Sequence, residues 1–118
     1  MEDDLSRLIP LAPAALHILL ALSREDRHGY GIMQEIKKHS DGQYKIGPGT
    51  LYDNLEKLLN LGMLVEAPKK RGPDEDERRR YYGLTSFGKR VLAADVRRLE
   101  RVVRTAKSNL RQSAPQEG

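Results

Sequence analysis

The sequence predicts a mainly α-helical fold with one small β-hairpin, and three observations carry that prediction. Pro48 to Glu66, PGTLYDNLEKLLNLGMLVE, reads as an amphipathic helix that stops at a glycine and runs straight into an apolar strand. Arg78 to Leu92, RRRYYGLTSFGKRVL, reads as a basic, aromatic strand that runs straight into another helix. The polar, turn-rich run APKKRGPDEDE joins them, so the two strands enclose a charged hairpin. This is the plan of a winged helix-turn-helix: residues 1–84 as the winged unit, 85–112 as a C-terminal dimerisation helix and 113–118 as a disordered tail.

A chain of 118 residues with 38% hydrophobic content can build one modest core. Cysteine is absent, which removes disulfides, thiolate catalysis and zinc-thiolate sites together. Packing alone or a partner subunit must hold the fold, and self-association is the expectation. No apolar stretch reaches the roughly 20 residues of a membrane span, and the acidic Glu2, Asp3 and Asp4 are unlike a signal-peptide start. A cytoplasmic protein without a membrane partner is expected. The net charge of +4 is unevenly spread: six basic residues flank four acidic ones from Lys69 to Arg80, and eight accompany only Asp95 and Glu100 from Gly88 to Arg111.

Each element follows from local signals. Pro13 to Leu22 reads as a first helix, with proline in its opening turn and a nearly all-round apolar surface, and so as the buried hub. Ser23 to His28 reads as a connection, because no apolar period begins there. Gly29 to Ser40 carries Tyr30, Met33 and Ile36 at spacings of three and forms a second helix, with Asp41 to Gly47 as the turn. The third helix opens at Pro48 and closes at Gly62. At ~100° per residue, Leu51, Leu55, Leu58 and Leu59 share one side while Thr50, Asp53, Lys57 and Asn60 lie opposite, with Tyr52 and Asn54 on the flanks. Met63 to Ala67 and Arg79 to Leu84 are the wing strands, joined by a mobile tip. Alternation along the second strand places one ring of the pair Tyr81 and Tyr82 in the core. Thr85 is placed as the N-cap of the last helix.

In that last helix Leu92, Val96, Leu99, Val103, Ala106 and Leu110 recur at alternating intervals of four and three. Valine at the a-type and leucine at the d-type positions is the combination that favours two strands in parallel coiled coils, which makes this stripe the candidate dimerisation seam.

A helix presenting a polar face beside a basic hairpin suits a DNA duplex. On the helix the candidate contacts are Thr50, Tyr52, Asp53, Asn54 and Lys57; on the wing they are the cations Lys69, Lys70, Arg71, Arg78, Arg79 and Arg80, suited to phosphates.

HGYGIMQEI at 28–36, PGTLYDNLEKLLNLGML at 48–64 and RRRYYGLTSFGKRVL at 78–92, in this order and spacing, resemble the PadR family of bacterial transcriptional regulators, over roughly Leu11 to Arg111. The short C-terminal helix resembles the compact branch of that family. The resemblance implies a dimeric, repressor-type winged-helix protein in which Tyr30, Tyr52 and Lys57 lie at or near the DNA, and in which Gly31 and Gly88 serve close packing. This sequence departs from the common pattern at Asp53, where proline is frequent, and at Leu59 to Leu61, where charged residues usually precede the glycine. Some relatives respond to a small-molecule effector; nothing here identifies one, and with no tryptophan and one phenylalanine a pocket that stacks flat aromatic drugs is not expected.

Catalysis is not expected, nor is a cofactor or metal. His17, His28 and His39 fall in different segments without a carboxylate at metal-ligand spacing, and His17, inside an apolar helix, reads as a core histidine. The glycine pairs at 29 and 31 and at 47 and 49 lack the remaining residues of a phosphate loop. The alternative from another class is a winged-helix protein-interaction module that never touches DNA, which would carry a neutral or acidic wing.

Overall fold

A computed structural model of the chain describes residues 5–67 and 80–112. A 3-10 turn at Leu5–Arg7 precedes α1 (Pro13–Ala21), β1 (Arg27–His28), α2 (Gly29–His39), α3 (Pro48–Asn60), β2 (Leu64–Ala67), β3 (Tyr81–Leu84) and α4 (Ser86–Gln112). The expected tail, the wing tip and residues Lys69, Lys70, Arg71, Arg78 and Arg79 lie outside the described residues.

α1 opens at Pro13, where the missing N–H costs no helical hydrogen bond. It buries Ala15, Ile18, Leu19 and Ala21 and packs against α2, α3 and α4, so it is the hub of the core. Ile32 and Ile36 of α2, Leu51, Leu55 and Leu58 of α3, Met63, Tyr82 and Val91 complete that core. Full burial of one such aliphatic side chain contributes about 1.5–3 kcal/mol, so the leucine side of α3 outweighs any single surface contact on its opposite side.

Backbone geometry ends the two central helices sharply. After α3, Gly62 adopts φ 79°, its N–H bonds the Leu59 carbonyl and the Met63 N–H bonds the Leu58 carbonyl, both at 3.0 Å. This paired closure needs a left-handed residue, which glycine supplies without strain. After α2 the same pattern uses Asp41 at φ 54°, with Gly42 N–H on the Lys37 carbonyl at 2.8 Å. The Ser40 hydroxyl then accepts the Tyr44 N–H at 3.1 Å and fixes the turn toward α3.

The sheet corrects one expectation and extends another. Residues 23–28 are not connection alone: Arg27 and His28 form a short strand opposite Tyr82 and Tyr81, giving a three-stranded antiparallel sheet with β3 in the middle. Tyr82 joins the hydrophobic core, as alternation requires, and Tyr81, outside that cluster, is buried as well, at 7% against 3% exposure. Strand alternation assigns two faces, but the face that would have met solvent at Tyr81 is covered, in part by the His28 ring standing edge-on at 5.3 Å.

Thr85 joins sheet to helix as expected. Its hydroxyl accepts the Gly88 N–H at 2.9 Å and donates to the Gly62 carbonyl at 2.6 Å, so one side chain caps α4 and ties it to the end of α3. Gly88 presses on the Met63 carbonyl, where no Cβ fits, which bears out its packing role. Gly31 has only ordinary clearance; the tight approaches near the start of α2 belong to Gly29 instead.

α4 buries Gly88, Val91, Leu92 and Asp95 against the domain. Asp95 is fully buried; it accepts from Arg98 Nε at 2.6 Å and from the Leu11 N–H at 3.3 Å, which anchors the segment before α1 onto α4. From Val96 onward no described residue of α4 is buried. Those 17 residues extend for about 25 Å at 1.5 Å per residue.

Candidate nucleic-acid interface

α3 turns its leucines inward and leaves Thr50, Tyr52, Asp53 and Lys57 exposed. Asn54 is half-buried, and its amide donates to the Thr50 carbonyl at 2.8 Å, so its side chain folds back along its own helix. Tyr30, in the first turn of α2, is 59% exposed.

α2 and α3 meet at a glycine. The Tyr52 hydroxyl lies against Gly29, in the space a Cβ would fill, which seats the tyrosine beside the start of α2. The local signal is a buried glycine at the first position of a helix, a place where its flexibility has no other use. His28 caps the same turn, its Nδ1 accepting the Gly31 N–H at 3.0 Å. An imidazole is not among the usual capping residues, which is why its capping role was not legible although His28 opens the motif HGYGIMQEI.

The wing contributes Arg80. Its guanidinium lies 3.5 Å from the Glu66 carboxylate of β2. Burial pushes the Tyr82 hydroxyl pKa up, with Arg80 opposing the shift. Arg80 and Glu66 are both largely exposed, so their pair contributes little to stability and leaves the arginine available to a competing anion.

The candidate seam divides into two parts. Leu92 is buried in the core of its own chain, and Leu99 is half-buried. Val96, Val103 and Leu110 are 36%, 48% and 69% exposed, and Ala106 is also exposed. Val96, Leu99 and Val103 line a shallow groove rimmed by Glu100, Arg104 and Lys107.

His17 is a correction: it is half-exposed, not a core histidine. The fold brings it to His39, with Nδ1 and Nε2 3.0 Å apart, and stacks it on Tyr44 at 4.3 Å between centroids. Two imidazoles make a proton-sharing pair, and among the described residues no group of three or more His, Cys, Asp or Glu could hold a metal ion. No described helix is long and apolar enough to cross a membrane.

Residues 18–94 match the transcriptional regulator PadR-like family. The chain belongs to that family. Its members are transcriptional regulators and not enzymes. The PadR-like chain is 37% identical over 93 residues to the transcriptional regulator Rv3488 of Mycobacterium tuberculosis, covering 79% of this chain and 81% of that one. Its fold is similar to that of a transcriptional regulator from Clostridium thermocellum, with TM-score 0.67, 24% identity and coverage of 92% and 96%. It is also similar to Bacillus subtilis PadR solved in complex with operator DNA, with TM-score 0.59, 24% identity and coverage of 72% of this chain and 47% of that one.

Proposed function

We propose that this PadR-like regulator is a cytoplasmic homodimer that binds an inverted-repeat operator in double-stranded DNA and represses transcription from it. The supporting observation is the exposed polar side of α3: Thr50, Asp53 and Lys57 with Tyr52, on a helix whose other side is locked into the core. A helix held rigidly by one face can enter a major groove with the other, and Thr50, in its first turn, is placed to reach base edges. Tyr30 and Arg80, with Lys69, Lys70, Arg71, Arg78 and Arg79 of the wing, take phosphates, which position the protein without specifying sequence. Asn54 contributes base contacts only on releasing the Thr50 carbonyl.

The dimer reading rests on α4. An isolated helix is marginal in water, and the part beyond Asp95 carries a row of exposed valines and leucine that a second copy would cover. We place the boundary between the winged unit and this helix at Leu84 and Thr85. Two-fold symmetry then requires half-site centres about one turn, ~34–36 Å, apart. Footprinting on the chain's own upstream promoter region tests this: two symmetric protected half-sites are expected, and protection of one asymmetric site contradicts the geometry.

A further inference from the structure

A cleft opens between the outer side of α2 and the turn leading into α3, lined among others by Tyr30, Gln34, Lys37, Lys38, Asp41 and Lys45. Tyr30, Gln34 and Lys37 recur at intervals of four and three and so share one side of α2. Lys37, Lys38 and Lys45 are exposed, and no ion pair among the described residues engages them. Three ammonium groups therefore face one carboxylate, that of Asp41. Lys38 also borders a recess containing Glu25 and Glu35, so its charge is shared, and Lys37 and Lys45 are the pair committed to the cleft.

Position gives that charge a partner. Tyr30 in its lining is adjacent to Gly29, on which Tyr52 of α3 rests. Lys45, also in its lining, lies three residues before Pro48 opens α3. Two of the residues that line this basic cleft thus neighbour, in sequence, positions that contact or open the helix assigned to the groove. We propose that the cleft is a second phosphate-binding surface, in which Lys37 and Lys45 hold the DNA backbone beside the stretch that α3 reads.

The inference rests on the DNA-binding reading above and adds a site outside both α3 and the wing. A polyanion suits the cleft better than a small anion does. The lysines are mobile point charges on an open surface, with no fixed fork to enclose a single ligand, whereas a duplex offers phosphates at regular spacing.

The test measures affinity against salt for operator and random-sequence duplexes. Lys37→Ala/Lys45→Ala should flatten the slope of log K against log salt by ~1.8, at ~0.9 per lost contact, with the ratio of operator to random affinity unchanged. Asp41→Asn should do the reverse and strengthen binding to both duplexes. Asparagine tolerates the left-handed backbone at residue 41, so this variant keeps the turn and reads charge alone. Urea unfolding of each variant should match that of the parent chain. If the parent binds with a steep slope that both variants leave unaltered, the cleft makes no phosphate contact and the inference falls while the DNA reading stands. If the parent binds no duplex at any salt concentration, the DNA reading falls and takes this inference with it.

Discussion

The Tyr52 hydroxyl occupies the space in which a side chain on Gly29 would begin. A residue exposed at the candidate interface is thus held by the absence of a methyl group on a neighbouring helix. In Gly29→Ala only the far end of a half-exposed tyrosine must move, and alanine regains helix propensity. Stability should therefore change by less than ~1 kcal/mol, while DNA affinity falls because Tyr52 is displaced. A double-mutant cycle with Tyr52→Ala checks the cause: once the ring is gone, Gly29→Ala should cost nothing further.

Asp95 accepts from both Arg98 and the Leu11 N–H with no exposure of its own. Asp95→Asn keeps the shape but turns one acceptor into a donor against the guanidinium. A loss of about 1–3 kcal/mol is expected in urea unfolding, from buried polar groups left without partners. Amide exchange at Leu11 should accelerate beyond the global change, since that hydrogen bond holds the segment before α1.

Val103 is exposed in the single chain, so an aspartate there leaves the monomer fold intact. In a coiled-coil seam the same charge would be buried. Val103→Asp should sediment as a folded monomer at concentrations where the parent is a dimer, with weakened operator binding. A stable Val103→Asp dimer would place the interface elsewhere.

Burial, and then the neighbouring His39, hold the His17 pKa below its ordinary value of 6.5. The folded chain prefers the neutral ring, so the stabilisation is complete above about 6.5 and is lost as pH falls through the lower folded value. Urea midpoints taken from about pH 8 down to about pH 5 should decline, and His17→Gln should flatten that decline.

These relationships mark where the sequence could and could not be read. Pro13, Pro48, Gly62 and Thr85 act through local backbone chemistry, and the helices begin and end where those residues put them. β1 has two residues, too short for any periodicity, and the burial of Tyr81 depends on it. Asp95 and the pair of His17 with His39 are meetings across 84 and 22 positions of sequence, and nothing local in a charged or imidazole residue announces its partner. For the interface, helical phase put Thr50, Asp53 and Lys57 on one side, where the structure leaves them exposed; it could not show that Asn54 bends back to its own helix.

The most direct test of the central claim is a titration of the parent chain and of Thr50→Ala against the promoter segment protected in footprinting and against random-sequence duplex. The Thr50 carbonyl stays in place in this variant, so the α3 backbone is undisturbed. The parent should prefer the promoter segment, and Thr50→Ala should lose roughly 1–3 kcal/mol on that segment while binding random DNA as before. Equal affinity of the parent for both duplexes, or an equal loss on both in the variant, would contradict sequence reading by α3.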